Sequence, residues 1–567
     1  MKRFLFVLCV LGLLLAGYAC AEPNSYKFPE ELCTVEGISF RITYSKTDHE
    51  WQASITDADP GCVSTAVPFE VGCTADWVEY NDGTEEAPVY RTVNNVYVTA
   101  TVRSIDSKAF QGCTSLTKIA IPDTVKTIGM NAFDGCTSLK SVNFGAGLNT
   151  IEAGAFSGCP LTEIVVPDSV TTIGGGAFGG TTPVNVTLPF TGVSLTNPYI
   201  YNKEFKYIFS GENSQRGDIP DTIRTVTITQ QTEYTDRVFA DCSRITTIHI
   251  PDGTTSIAAE AFDGCTSLTD FQLPSALESI GGYAFQNCAL AFKGKLDLSN
   301  VKGSIGIGAF KGCTGITGVS FGTELTSISS AAFSGCPLTE IVVPDSVTSI
   351  GEYAFEDSVP VHVTLPFTGL SPTGSTNFCS LKYIFSGLSS EAGDVPETIR
   401  SVTITNQTEV KAYAFRNCAQ ITTIRYPDET TSIRTYAFDG CAALTDFQLP
   451  AALESIDNYA FNGCAALGSV RYGGSPCMRE LVSIGGRNEP LTNAAWTYAL
   501  TKELILPQNV QLLESEALAG TGAEVVLIPQ SCSSVAADAF DNCPGLRYIV
   551  NRSAVEINAP DGVTVLN

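Results

Sequence analysis

Along most of the chain, apolar positions return in one order at a fixed interval. The unit reads roughly L-T-x-I-x-I-P-D-x-V-T-x-I-G-x-x-A-F-x-G-C, as in SLTKIAIPDTVKTIGMNAFDGC from Ser115 and PLTEIVVPDSVTTIGGGAFGG from Pro160. Its Ala-Phe pairs end at Phe110, Phe133 and Phe156, then, with Val238 in place of Ala in the first, at Phe239, Phe262 and Phe285, with a constant step of 23 within each run. Further pairs end at Phe310, Phe333, Phe355, Phe415, Phe438, Phe461 and Phe540, and small slips in the step mark bulges or insertions in turns. The L-x-x-I-x-[IV] segment alternates like a short strand with one buried face. Pro-Asp breaks that strand and opens a turn. The V-x-x-I-G segment returns apolar residues to the core. A-F-x-G-C predicts a tight bend that carries one large side chain inward.

No such unit can bury its apolar groups alone, so neighbouring units must stack. The A-F-x-[GN]-C ending and the I-P-D-x-V turn resemble the BspA-type leucine-rich repeat, strongly over residues 104–464 and loosely over 501–549. The resemblance implies a mainly β fold, a right-handed leucine-rich-repeat solenoid with a curved parallel β-sheet on one side. It also implies a secreted or cell-surface protein that works by protein–protein interaction, with adhesion to host or other cells.

A longer period overlies the short one. SGCPLTEIVVPDSVT begins at Ser157 and again at Ser334, and LPFTG recurs at the same offset, at 188–192 and 365–369. Two super-repeat blocks therefore start at 157 and 334. Each holds one longer excursion, about 181–221 and 358–397, which keeps its strand-like runs and reads as modified coils with a longer loop. LPFTG has the form of a wall-sorting signal, but hundreds of residues of repeat follow it, so it reads as a strand end and a Gly turn. Residues 22–100 lack the Ala-Phe landmark and alternate in ISFRITY and VYVTATV, which predicts a β-rich N-terminal cap to cover the open end of the stack. The solenoid is expected over 101–472, with degenerate repeats and a C-terminal cap over 473–567.

Composition narrows the function. The formal net charge of the 567-residue chain is −26, which argues against broad binding to nucleic acid or an anionic membrane face. Lys2 and Arg3 precede an apolar stretch at 4–15 and the small residues Ala19-Cys20-Ala21, the pattern of a signal peptide over 1–21 cleaved after Ala21. Lipidation at Cys20 is the alternative. No later apolar run is long enough for a transmembrane segment. Twelve of the 20 cysteines occupy the repeat's Cys position. Thr181, Ser358 and Thr521 replace Cys there without disturbing the landmarks, so the position asks for a small buried side chain, and free thiols are expected. In the cap, Cys62 and Cys73 are candidate disulfide partners, with Cys33 competing.

Catalytic signatures are missing from the sequence. Only three histidines occur, His49, His249 and His362, and no nucleophile elbow, zinc-binding helix or phosphate loop is present. Neither an enzyme, a metal site nor a cofactor is expected. Asp123, Asp168, Asp252, Asp345 and Asp428 all follow Pro at one repeat position, which predicts carboxylates that bond turn backbone. Two binding candidates remain. Arg216-Gly217-Asp218 matches an integrin-recognition tripeptide in a polar loop, although the second block has Ala392-Gly393-Asp394 there. Outward strand positions His249, Gln272, Ser320, Arg425, Gln448 and Arg471 should share a column with Ala120, Asn143, Val165 and Val342. The expected function is binding of a protein partner. A carbohydrate-binding accessory protein or enzyme, and a passive structural spacer, are the alternatives.

Overall fold

A computed structural model describes residues 101–467, apart from 195–203, 211–218, 291–294, 373–378 and 388–394, and residues 503–567, apart from 507–509, 519–522 and 544. Before 101 and across 468–502 it describes the strands alone. The chain divides into two units, residues 1–231 and 232–567.

The first unit opens with the expected β-rich region. Strands Cys33–Val35, Ile38–Ser45 and Glu50–Ala58 pair antiparallel in succession. Strand Glu70–Asn81 pairs antiparallel with the long strand Tyr90–Ile105. That long strand runs across residue 100 into the first coil. Its end pairs in parallel with Thr127–Ile128, Ser104 opposite Thr127 and Ile105 opposite Ile128. The cap and the solenoid thus share one ladder.

Most coils then contribute two parallel strands. The wide ladder uses the L-x-x-I-x-[IV] segments: Lys118–Ala120 beside Ser141–Asn143, and Glu163–Val165 beside Asn185–Leu188 beside Thr225–Ile228. A second, narrow ladder uses the V-x-x-I-G segments Thr127–Ile128, Thr150–Ile151 and Thr172–Ile173. The repeat pattern predicted only a return of apolar residues there. Strands this short leave no room for alternation to announce them.

Between the ladders, the Ala-Phe bends stack ring upon ring. Phe110 lies 4.8 Å from Phe133 at 9° between planes, and Phe133 lies 5.0 Å from Phe156 at 5°. These spacings match the distance between hydrogen-bonded strands, about 4.7–4.9 Å. Backbone bonds follow the stack: Phe110 N–H donates to Ala132 O at 2.7 Å and Phe133 N–H to Ala155 O at 2.7 Å.

The second unit repeats this plan. One wide sheet runs Glu340–Val342, His362–Leu365, Ser401–Ile404, Thr423–Arg425, Asp446–Leu449, Ser469–Tyr472 and Ala495–Trp496, all in parallel. A further parallel sheet holds Glu503–Ile505, Val525–Ile528, Tyr548–Asn551 and Thr564–Leu566. Where the Phe spacing stretches, between Phe285 and Phe310, the narrow ladder shifts register between Gly303 and Ser304. Leu518 fills the Phe position with 0% exposure, so the degenerate C-terminal coils keep the apolar bend.

The excursions are single enlarged coils. Asn185 sits directly opposite Thr225, so the coil between them is nearly twice the usual length. The four-residue helix Tyr207–Ser210 stands in for the bend, and its Ile208 carbonyl accepts from Phe178 N–H at 2.9 Å. In the second unit Tyr383–Ser386 does the same, with Ile384 O accepting from Phe355 N–H at 2.9 Å. Phe205 is fully buried and packs edge-on against Phe209 at 5.3 Å, a core role.

LPFTG joins the wide strand to the rest of the enlarged coil. Leu188, Phe190 and Thr191 are at most 2% exposed. Gln231 Oε1 accepts from Thr191 N–H at 2.7 Å and from its hydroxyl at 3.0 Å. Gln407 binds Thr368 in the same way, at 3.0 and 3.1 Å.

Candidate functional site

The outward face of the wide sheet is the candidate site. Alternation sends the middle residue of each strand inward and its neighbours outward. In Glu163–Val165 the middle Ile164 is 1% exposed, whereas Val165 is 49% exposed. Parallel register then lines outward residues into columns. In the first unit Ala120 faces Asn143, and Val165, Thr187 and Thr227 stand in line. In the second unit Val342, Thr364, Thr403 and Arg425 stand in line, as do Gln448 and Arg471. Ser320 sits opposite Asp297.

Of the residues singled out from sequence, His249 is exposed at the end of Thr247–His249, and Gln272 is exposed just beyond Asp270–Phe271. Arg425 is exposed, and its Nη1 donates to Gln448 Oε1 at 3.3 Å. Arg471 is placed by its backbone register only. Arg216, Gly217 and Asp218 lie outside the described residues, as do Cys62 and the signal segment 1–21. Cys73 falls in the strand Glu70–Asn81, with its side chain outside the described set.

Charge on this face is mixed. Lys295 Nζ reaches Glu340 at 3.3 Å, two strands away. It passes over the intervening Gly318, where an added Cβ would meet Lys295 Cγ at 2.9 Å. His362 Nδ1 and Ser401 Oγ share a hydrogen bond of 2.6 Å on adjacent strands.

The aspartates after Pro tie coils together. Asp123 accepts from Ala146 N–H of the next coil at 2.7 Å, while Asp168 and Asp345 accept from the hydroxyls of Thr229 and Thr405. Their role extends beyond the local turn. Among the described residues no three acidic, His or Cys side chains come together to hold a metal ion.

The repeat-position thiols are free, and all but Cys543 are buried. They bond the coil before: Cys136 Sγ donates to Phe110 O at 3.0 Å, Cys159 to Phe133 O at 3.1 Å, and Cys336 to Phe310 O at 3.1 Å. Thr181 and Ser358 donate instead to the Phe carbonyl of their own coil, at 2.7 and 2.6 Å. Burial pushes the Cys336, Cys418 and Cys464 thiols up to about 12.

A second surface has a signal in the sequence. Tyr precedes Ala-Phe in three consecutive coils, at Tyr413, Tyr436 and Tyr459. The rings stack at 5.5 and 4.8 Å, and Arg416 lies over Tyr413 at 5.4 Å while pairing with Asp439 at 3.1 Å. All three tyrosines have positive φ, between 58° and 62°.

The same repeat is known from other proteins. A family model described as the BspA type leucine rich repeat region matches in six copies, over residues 90–185, 232–361 and 396–475. Similar solved structures include a leucine-rich repeat protein from Bacteroides ovatus, 19% identical over 94% of this chain and 98% of that one, with a TM-score of 0.29. A leucine rich cell surface protein from Faecalibacterium prausnitzii is 20% identical over 93% and 95%, with a TM-score of 0.20. The pneumococcal vaccine antigen PcpA is 12% identical over 95% and 94%, with a TM-score of 0.22. No curated protein matches the chain.

Proposed function

The chain belongs to the BspA-type leucine-rich repeat family, and from that premise we propose that it is an exported, non-catalytic adhesive protein that binds a protein partner through the outward face of its wide sheet. The observation that carries this reading is the register of that face. Parallel pairing aligns exposed and half-buried polar, charged and apolar side chains into columns. Such columns suit recognition of an extended protein surface. No helix among the described residues is long and apolar enough to cross a membrane. Export rests on the basic, apolar and small-residue pattern of residues 1–21.

The test is attachment of the mature chain to intact cells. Saturable binding that trypsin treatment of the cells removes, and that falls at least several-fold with His249→Asp, Arg425→Asp and Arg471→Asp combined, is expected. Binding removed by glycosidase alone would point to a carbohydrate ligand, and a lack of saturation to a passive spacer. Both faces of the Tyr436 ring are already covered by Tyr413 and Tyr459, which leaves that row little free ring face for a sugar. The Arg216-Gly217-Asp218 loop is a separate contact for integrin-bearing cells, checked by Arg216→Ala. Sequencing the mature N-terminus distinguishes cleavage before Glu22 from a lipidated Cys20.

A further inference from the structure

The two super-repeat blocks differ in what they have kept. Compare the coil that begins each block, where SGCPLTEIVVPDSVT recurs unchanged. At its bend the half-buried positions 175, 176 and 179 and the exposed positions 180 and 182 are all changed in the second block, as in Gly176 against Tyr353 and Thr182 against Val359. On its sheet face none is changed: Thr162, Glu163 and Val165 recur as Thr339, Glu340 and Val342, all exposed. The neighbouring strand keeps Thr187 as Thr364, with Asn185 replaced by His362.

Structure accounts for part of this identity. Thr162 and Thr339 bond carbonyls of the preceding coil, Lys140 O at 3.4 Å and Thr317 O at 3.2 Å. Nothing comparable holds Glu163 or Val165. Glu163 has no ion-pair partner among the described residues, and Val165 and Val342 leave 49% and 44% of their surface in solvent on a sheet face otherwise mostly polar. An acid beside an exposed apolar side chain, present twice while the back of the same coil drifted, is the layout of a contact patch.

We propose that each block carries one copy of the same binding patch, Glu163 with Val165 in the first unit and Glu340 with Val342 in the second, so that one chain takes two copies of a partner segment. This rests on the protein-binding reading above. The occupant is an extended polypeptide segment with an apolar anchor next to a Lys or Arg. The apolar anchor covers the valine, and the basic group meets the glutamate. The chain's net charge of −26 draws such a segment in. The two patches differ in one respect. Lys295 already occupies Glu340, so the second patch binds the basic segment more weakly than the first.

The probe is an array of synthetic peptides in which apolar and basic positions vary independently. The best binder is then titrated calorimetrically into the full chain. Two segments per chain are expected, falling to one with Val165→Asp or Val342→Asp and to none with both. If an aspartate variant does not fold, Val165→Thr and Val342→Thr keep the branched shape and should each weaken one site several-fold. Lys295→Ala should tighten the weaker site alone. A stoichiometry of one, selection of acidic peptides, or no binding peptide at all would overturn the proposal. Cell attachment that survives the double variant would reject the patches while leaving the protein-binding reading intact. Non-saturable attachment by the unaltered chain would reject that reading itself.

Discussion

At the scale of single residues, the repeat is fixed by small groups in crowded places. The cysteine thiol is small enough to fill an apolar gap, and it can also donate weakly to the Phe carbonyl of the preceding coil. Native protein should therefore leave its buried repeat thiols unreacted with a thiol reagent at pH 8, the half-buried Cys543 apart, with all of them reacting after denaturation. A fully unreactive denatured chain would mean disulfides. The pH dependence has a definite sign. Unfolded thiols ionise from about 9, while Cys336, Cys418 and Cys464 hold their protons to about 12. Their stabilisation is full below 9 and is lost as pH rises toward 12, so the urea midpoint should fall across that window.

Tyr436 sets two residue-level effects against each other. A bulky side chain at φ 58° is strained by about 1–3 kcal/mol. Stacking on two neighbours returns roughly 0.5–1.5 kcal/mol for each pair. Tyr436→Ala loses the stacking and keeps part of the strain, whereas Tyr436→Gly loses both. Thermal melts should rank the unaltered chain first, Gly second and Ala last, with Ala about 1–2 kcal/mol below the unaltered chain. An Ala variant as stable as Gly would show that the backbone there is unstrained.

At the scale of elements, the coil was legible because its period and landmarks are strict. The wide strands, the inward Phe and the turn aspartates all follow from alternation and punctuation. Removing one Phe from the stack, as in Phe133→Ala, should cost about 3–5 kcal/mol. Phe133→Leu should cost far less, because Leu518 fills the same position in a degenerate coil at 0% exposure. Both are measured by denaturant unfolding. The narrow ladder was not legible, since each of its strands is as short as Thr150–Ile151. Its glycine gives the only hint. An added Cβ at Gly174 would stand 2.2 Å from Ala153 N, so Gly174→Ala should force the coils apart at roughly 1–3 kcal/mol.

LPFTG belongs to the same scale. Its motif has the form of a sorting signal, its position within the repeats argues against that role, and burial adds a physical reason why it cannot act as one. With Phe190 and Thr191 inside and Gln231 holding the Thr191 backbone, the peptide bond is out of reach of any enzyme acting on the folded chain. Incubation of native protein with a sortase and an amine nucleophile should leave the chain intact. The glutamines that hold the motif were not foreseen, because Gln231 stands a whole enlarged coil away from Thr191 in sequence.

At the scale of the whole molecule, the sequence revealed a duplication but not its consequence for binding. Two tandem blocks with matching segments read from sequence as two copies of a scaffold. Only the structure separates Thr162, whose hydroxyl bonds the preceding coil, from Val165, which is 49% exposed and has no such bond. The sheet-face column could be written down from the repeat alone, but the partners of its members could not. Arg425 meeting Gln448, and Lys295 crossing Gly318 to Glu340, depend on side chains spanning coils.

The parallel ladders carry one more implication, for a protein that holds on to something. Each ladder pairs a coil's strands with those of the coil before and the coil after, so tension on the chain peels coils away one at a time from a loaded end. An ordinary coil, once freed, lengthens the tether by roughly 80 Å at full extension. Each enlarged coil releases nearly twice that length. Pulled in a flowing fluid, the molecule would yield in steps and lengthen, absorbing a jerk that a rigid anchor would pass straight to its bond.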